Sequence, residues 1–205
     1  MITTIVFDMD GVLIDAKEWH YKALNSVLMD FGLDISRSEH ESIFDGLPTK
    51  VKLEELTKHK LLPRRIHEKI NELKQVETLR IANSECRPNF HVINVLRELR
   101  RKKYKIGLAT NSVRKTTETF LNLSRIDSFF DLIYTNEDVL KSKPDPEIYT
   151  RICQDFRESP ENVLVFEDNE NGINAATGAG CKVSKVENPN QIKWDFVFKE
   201  IQAKW

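Results

Sequence analysis

The sequence predicts an α/β protein with a parallel-sheet core and an all-helical segment inserted after the first strand. Three observations predict this fold class. Short apolar runs recur along the chain and end in polar or acidic residues, stretches with helical periodicity separate them, and residues 16–82 contain no convincing strand. Strands that alternate with helices are typical of a parallel sheet covered by helices.

Four apolar runs predict strands of this sheet. The first run, TTIVFD, is rich in β-branched and apolar residues, and three later runs look alike. A strand buried on both faces by helices reads as a nearly continuous apolar run. We therefore predict strands at Thr3–Asp8, Lys105–Thr110, Leu132–Thr135 and Val163–Asp168. The tail, Trp194–Trp205, predicts a further short strand at Phe196–Phe198 and then a helical turn.

Helices are predicted between these strands, and their ends carry capping signals. Pro88 is expected in the first turn of one helix, where its missing N–H costs nothing. Ser112 and Asp145 are expected to cap two helices through side-chain oxygens. Gly180 is expected to close the last of them. The predicted helices are Asn89–Lys103, Ser112–Leu123, Asp145–Phe156 and Asn169–Gly180.

Residues 16–82 predict a separate helical domain. The apolar residues of Lys17–Phe31 recur at helical spacing, and further helical stretches follow at Glu39–Asp45, Lys50–Lys60 and Arg64–Leu79. We therefore expect residues 1–15 and 83–205 to form the α/β core. Residues 16–82 would form an all-helical cap.

Composition and charge exclude several classes of protein. Lys and Arg number 31 and Asp and Glu number 32, so the net charge of −1 offers no basic field to nucleic acid or acidic lipid. No run approaches the roughly 18 apolar residues of a spanning helix, and the start MITTIVFDMDG lacks the features of a signal peptide. Three cysteines without CxxC spacing fit a reducing compartment. We expect a cytoplasmic protein.

Residues able to carry chemistry follow the predicted strands. Because ligands bind at the carboxyl ends of parallel strands, we expect these residues to converge on one edge of the sheet. Carboxylates gathered there would repel one another unless a cation joined them. Oxygen ligands without nearby His or Cys suit a hard ion, most plausibly Mg²⁺. The candidates are Asp8, Asp10, Thr110, Asn111, Ser112, Lys143, Glu167 and Asp168.

Four stretches resemble the ordered motifs of the haloacid dehalogenase (HAD) superfamily. They are FDMDGVLID at 7–15, LATNS at 108–112, SKPDPEIY at 142–149 and VFEDNENGINAATGAG at 165–180. With a cap at 16–82, the layout is similar to the branch of β-phosphoglucomutase and phosphoglycolate-phosphatase-like proteins. The resemblance spans nearly the whole chain. It implies a Rossmann-like parallel-sheet core, an inserted all-helical cap and phosphoryl transfer with Mg²⁺.

The resemblance also implies roles for the candidate residues. Asp8 resembles the nucleophile that takes the phosphoryl group, and Asp10 the general acid whose backbone carbonyl touches the metal. Thr110 resembles the hydroxyl that binds the phosphoryl group, assisted by the Asn111 amide, and Lys143 the lysine that neutralises Asp8 and a phosphoryl oxygen. The implied metal ligands are Asp8, Asp10, Asp168 and, directly or through a neighbouring group, Glu167. The substrate contacts would include Asn111 and Ser112.

Elementary chemistry supports these roles. A carboxylate is a poor nucleophile in water and improves when a cation orients it and screens its charge from an anionic phosphate. The charge spread over a transferring phosphoryl group is stabilised by a divalent cation, a lysine and backbone amides. A second acid at Asp10 distinguishes this sequence from metal-independent dehalogenases, which have no leaving alkoxide to protonate.

The predicted cap contributes candidate substrate residues. His20 aligns with a hinge-side histidine of the mutase branch, and the stretch FDGLPTKVK resembles its substrate loop. Gly46, Thr49 and Lys50 of that stretch are therefore expected to face the substrate. Two departures weaken a mutase assignment: Ala16 stands where that branch has a hydroxyl residue, and TNS replaces its small-residue motif.

The resulting hypothesis is a Mg²⁺-dependent phosphatase of a small phosphomonoester, plausibly a sugar phosphate, acting through an aspartyl phosphate. The first alternative is a phosphosugar mutase like β-phosphoglucomutase, and a less favoured one is a non-catalytic binding module on the same fold. The expected partner is a small-molecule phosphate ester, with no nucleic acid and no membrane. We expect a monomer or weak dimer.

Overall fold

The computed structural model describes residues 1–44, 46–60, 62–203 and 205. The chain forms two compact units. Met1–Asp15 and Arg87–Trp205 make up the core unit, and Ala16–Cys86 make up the helical unit. In the described part of the chain, no helix has both the length and the apolar content needed to cross a membrane.

The helical unit packs around its own apolar cluster. Leu24, Leu28, Leu53 and Ile70 are buried in this cluster, which accounts for the helical spacing of apolar residues in the sequence. A π-helical turn at His40–Phe44 and a 3₁₀ turn at Arg64–Ile66 join the helices. The helices are α1 (Lys17–Met29), α2 (Arg37–Glu39), α3 (Thr49–Lys60) and α4 (His67–Glu85).

Two boundaries in the helical unit differ from the prediction. Helix α4 runs past the expected end at Leu79, because buried Ile81 and Ala82 continue its apolar face. The unit accordingly ends at Cys86 instead of residue 82. The predicted helix Glu39–Asp45 is helical as far as Phe44, and Asp45 lies outside the described residues.

The described part of the core unit contains a five-stranded parallel sheet, so the predicted α/β class is confirmed. The strands are β1 (Thr4–Phe7), β2 (Lys105–Ala109), β3 (Leu132–Tyr134), β4 (Val163–Glu167) and β5 (Lys182–Lys185). The spatial order is β3-β2-β1-β4-β5, with every adjacent pair parallel. Strand β1 is wholly buried at the centre, which explains its continuous apolar run.

Helices connect these strands at nearly the predicted positions. The helices are α5 (Phe90–Arg101), α6 (Arg114–Leu123), α7 (Glu147–Phe156), α8 (Glu170–Gly178) and α9 (Trp194–Gln202). Gly180 turns the chain after α8 with φ +83°, which confirms the predicted helix end. The predicted cap Asp145 lies one residue before the N-cap position of α7, which Pro146 occupies, although Asp145 Oδ1 accepts the Glu147 N–H at 3.0 Å. Pro88 does not lie in a first turn: Asn89 caps α5 by accepting from the His91 N–H, which leaves Pro88 before the helix.

The predicted tail strand is wrong. Phe196–Phe198 lies inside α9, where Val197 and Ile201 are buried at the four-residue spacing of a helix. The fifth strand is β5, formed by KVSK. This strand lies at the sheet edge and pairs with β4 alone, so it needs little apolar content.

The strand order places the functional edge of the sheet. From β1 the chain proceeds to β2 on one side and later returns to β4 on the other, which makes the gap between β1 and β4 a topological switch point. Phe7 is in register with Phe166. The next residues, Asp8 and Glu167, therefore emerge side by side at the carboxyl end of the sheet.

Candidate active site

A buried lysine joins two carboxylates at this edge. Lys143 Nζ lies 2.7 Å from Asp8 Oδ1 and 2.5 Å from Glu167 Oε1, and it also donates to the Ala109 carbonyl at 2.8 Å. An ammonium group has three hydrogens, so each has an acceptor in this arrangement. The three acceptors come from the ends of β1, β4 and β2, and the lysine from the loop before α7.

A third carboxylate completes an acidic cluster. Asp8, Glu167 and Asp168 each offer an oxygen within 4.8 Å of the others, and all three residues are buried. When ionised, they outnumber the single positive charge of Lys143, which leaves excess negative charge in a poorly solvated site. This donor set of carboxylate oxygens fits a hard divalent cation such as Mg²⁺.

Burial and neighbouring charges shift the pKa values of Asp8 and Lys143. Burial raises the pKa of the Asp8 carboxyl well above its ordinary value; Lys143 opposes the rise, whereas Glu167, Asp168 and Asp10 reinforce it. Burial alone would lower the pKa of Lys143, but the Asp8 and Glu167 carboxylates outweigh burial and raise that pKa to about 12. Lys143 is therefore a permanent cation beside a nucleophile that gains from added positive charge.

Asp10 lies in the turn that follows β1 and is held by Ser112. The chain leaves β1 at Asp8, and Gly11 takes φ +86°, a conformation that favours glycine. Asp10 Oδ2 accepts a hydrogen bond from Ser112 Oγ at 2.7 Å. The prediction that Ser112 caps α6 is therefore wrong. The Glu137 carboxylate accepts the Arg114 N–H at the start of that helix instead. The sequence could not reveal this because Glu137 lies beyond the next strand.

Thr110 and Asn111 shape the loop beside the cluster. Thr110 is buried, and its Oγ1 accepts the Ser112 N–H at 3.0 Å, which tightens the turn after β2. The Asn111 side chain donates to the Lys143 carbonyl at 3.3 Å and accepts the Lys143 N–H at 3.1 Å. Asn111 therefore fixes the backbone of the loop that carries Lys143. The sequence predicted a substrate contact for Asn111 and did not predict this structural role.

The remaining candidates belong to the helical unit. His20 Nδ1 lies 3.1 Å from Nζ of the buried Lys74. Gly46 takes φ +69° in the turn before α3, Thr49 begins α3, and Lys50 is exposed in its first turn. Within this unit, Gly46, Thr49 and Lys50 form one continuous segment of chain, and His20 lies on a different helix.

Two residues of the site were not predicted. The Tyr149 hydroxyl donates to Glu167 Oε1 at 2.7 Å, and Gly172 lies where a Cβ atom would be 1.9 Å from the Glu167 carboxyl group. Burial, reinforced by Glu167 and Asp8, raises the pKa of Tyr149 well above its ordinary value, so the hydroxyl remains a donor. Both residues lie inside the motif stretches, but the prediction of site residues relied on charged and hydroxyl side chains at strand ends, and these two residues lie in helices.

A parallel sheet carries a lysine and several carboxylates at its switch point, and the family comparison assigns a class to this arrangement. The model of haloacid dehalogenase-like hydrolases matches residues 5–186. The chain belongs to this family.

The curated relatives include named phosphatases. A phosphorylated carbohydrates phosphatase from Thermotoga maritima is 30% identical over 185 residues, covering 87% of this chain and 82% of that protein. A pyrophosphatase, PpaX, from Bacillus cereus is 30% identical over 194 residues, covering 90% and 83% respectively.

A solved structure supports the fold independently. β-Phosphoglucomutase from Clostridium difficile has a TM-score of 0.85 at 23% identity, covering 98% of this chain and 97% of that one. At this identity the likeness concerns the fold alone.

Proposed function

We propose that this protein is a Mg²⁺-dependent phosphatase that hydrolyses a small phosphomonoester of the phosphorylated-sugar class through an aspartyl phosphate on Asp8. The observation that carries the proposal is the buried Lys143 ammonium, which lies 2.7 Å from Asp8 Oδ1 beside two further carboxylates. Family membership and the phosphatase names of two 30% identical relatives support the same chemistry.

In the first half of the proposed reaction, an Asp8 oxygen attacks phosphorus and the bond to the leaving oxygen breaks. Asp10 gives its proton to that oxygen, so the product leaves as an alcohol. Lys143 and the Thr110 hydroxyl stabilise the charge on the phosphoryl oxygens. The Ser112 hydroxyl donates to Asp10 Oδ2 and so holds this carboxyl group in one orientation.

In the second half, water attacks the phosphorus of the aspartyl phosphate, and inorganic phosphate leaves with Asp8 restored. Asp10 now accepts a proton from that water. A bound Mg²⁺, held by Asp8, Asp168, Glu167 and the Asp10 carbonyl, would add positive charge beside the phosphoryl oxygens. Lys143 remains charged throughout and compensates Asp8 in the resting enzyme.

The test is a phosphate-release screen over phosphorylated sugars, other small phosphomonoesters and pyrophosphate, with Mg²⁺ and again with excess chelator. We expect release from a subset of monoesters and its loss on chelation. The products are also separated, because an isomerised sugar phosphate formed without free phosphate would support the mutase alternative. Binding of Mg²⁺ without turnover over the whole panel would contradict the proposal and favour a binding module.

Asp10→Asn is expected to affect esters according to their leaving groups. For a sugar phosphate, loss of the acid should lower kcat/KM by about 10²–10⁴-fold, whereas p-nitrophenyl phosphate, whose leaving group needs little protonation, should lose much less. The ratio kcat/KM is used because it reports departure of the leaving group and excludes hydrolysis of the aspartyl phosphate. The exposed neighbour Asp15→Asn is the control. Equal losses for both esters would refute the acid role.

We further propose that His20, Gly46, Thr49 and Lys50 select the substrate. Lys50 is exposed on α3 and able to meet a second anionic or hydroxyl-rich part of a ligand. Lys50→Ala should lower kcat/KM for the preferred substrate, relative to p-nitrophenyl phosphate, by about fivefold, the equivalent of one contact of about 1 kcal/mol. Lys69→Ala, another exposed lysine of the helical unit, is the control. An unchanged ratio would remove Lys50 from the substrate site.

A further inference from the structure

Tyr149 contacts Glu167 and Lys143, the two charged residues that are bound to each other beside Asp8. It lies on α7, its side chain is completely buried, and its hydroxyl donates to Glu167 Oε1. The Lys143 ammonium lies 5.0 Å from the centre of the Tyr149 ring, which is within the range of a cation–π contact. Tyr149 also belongs to the apolar core formed by α7 and the neighbouring strands. A purely apolar core position would be filled equally well by phenylalanine, so the hydroxyl needs its own explanation.

The hydroxyl helps to fix a carboxylate that is constrained on several sides. Glu167 Oε1 accepts from Tyr149 and Lys143, and Oε2 accepts the Asp168 N–H at 3.1 Å. Gly172 closes another side, because any Cβ atom there would overlap the carboxyl group. These contacts leave Glu167 little freedom to rotate.

The position of Glu167 determines the position of Lys143. The three hydrogens of the lysine point to Asp8, Glu167 and the Ala109 carbonyl, so a moving Glu167 carboxylate would draw the ammonium away from Asp8. A neutral donor is the appropriate support here. A second cation in place of Tyr149 would compete with Lys143 for Glu167 and reduce the negative charge available to a metal ion.

We propose that Tyr149 is a positioning residue: its hydroxyl fixes the Glu167 carboxylate and, through it, the Lys143 ammonium on Asp8. This inference rests on the proposed function, because it assigns Tyr149 to the machinery of the same site. Tyr149 itself need not touch substrate. Its hydroxyl affects both metal binding by the carboxylates and the rate of the chemical step.

The first experiment compares Tyr149→Phe with Tyr134→Phe. Tyr134 is a matched control because its hydroxyl donates to Asp155 on the exposed side of α7. Tyr149→Phe should weaken binding of Mg²⁺ alone, measured by calorimetry, by about tenfold and lower kcat by about tenfold. KM should stay within about twofold, since no substrate contact is lost. Tyr134→Phe should leave all three quantities unchanged.

The second experiment displaces Glu167 without altering Tyr149. Gly172→Ala places a methyl group 1.9 Å from the Glu167 carboxyl, whereas Gly178→Ala in the same helix meets Pro146 at an ordinary 3.4 Å. Gly172→Ala should reproduce the losses in Mg²⁺ affinity and kcat, and Gly178→Ala should not. In a Glu167→Ala background the Tyr149 hydroxyl has no acceptor, so adding Tyr149→Phe should then change Mg²⁺ affinity by less than about twofold.

The outcomes separate this inference from the proposed function. Wild-type protein that binds Mg²⁺ but releases no phosphate would refute the proposed function, while the Mg²⁺ titrations would still decide the role of Tyr149. Tyr149→Phe with Mg²⁺ affinity and kcat within twofold of wild type would overturn the inference, even with a lower Tm, since the hydroxyl would then serve stability alone. Tighter Mg²⁺ binding would also overturn it, because the hydroxyl would then compete with the metal for Glu167.

Discussion

Asp8→Asn is expected to reduce phosphate release to below about 1% of the wild-type rate, for every substrate the wild type accepts. The amide is nearly the same size as the carboxylate but is a far weaker nucleophile. Its oxygen can still accept from Lys143, which keeps the ammonium near its present place. The loss should therefore appear in kcat, with the fold preserved.

Four measurements test this prediction. Circular dichroism should match wild type, and the urea midpoint should not fall below it, because the amide removes one negative charge from a buried acidic cluster. Asp15→Asn should retain full activity. Incubation with substrate followed by rapid acid quenching and intact-mass analysis should show a phosphorylated species in wild type and none in Asp8→Asn. A variant that keeps more than about 1% activity would require another nucleophile and would refute the proposed mechanism.

The candidate site could be predicted because its charged members follow strands. Asp8, Lys143, Glu167 and Asp168 lie close to strand ends or in the loop before α7, and the strand-end rule needs no knowledge of side-chain packing. Tyr149 could not be predicted in this way. Its side chain reaches Glu167 from a helix core, and the sequence pattern of such a residue is the same as that of an ordinary apolar position.

Ser112 shows where local reasoning fails. A serine before a helix is often its cap, but here the Ser112 hydroxyl donates a hydrogen bond to Asp10, and the Glu137 carboxylate accepts the Arg114 N–H at the helix start. Both competing partners lie far away in sequence. The strand prediction in the tail was wrong for a different reason. Phe196 and Phe198 have side chains that favour a strand, whereas burial of Val197 and Ile201 one helical turn apart favours a helix. Long-range packing decided both cases.

Lys143→Met is expected to have the largest effect on stability. Methionine fills nearly the same volume but leaves Asp8, Glu167 and Asp168 without the ammonium that compensates them. Loss of one partner from a buried charge cluster costs about 3–5 kcal/mol of unfolding free energy. Phosphate release should also fall by more than about 10²-fold, because the charge beside Asp8 and the phosphoryl group is gone.

Mg²⁺ should distinguish this electrostatic account from a simple packing defect. A divalent cation bound by the same carboxylates supplies positive charge where the lysine was, so millimolar Mg²⁺ should raise the urea midpoint of Lys143→Met more than that of wild type. Lys141→Met, two residues earlier and exposed, is the matched control and should change neither stability nor activity. If Lys143→Met is as stable as wild type, or if Mg²⁺ leaves its midpoint unchanged, the carboxylates are not held together by charge as the geometry of the site implies.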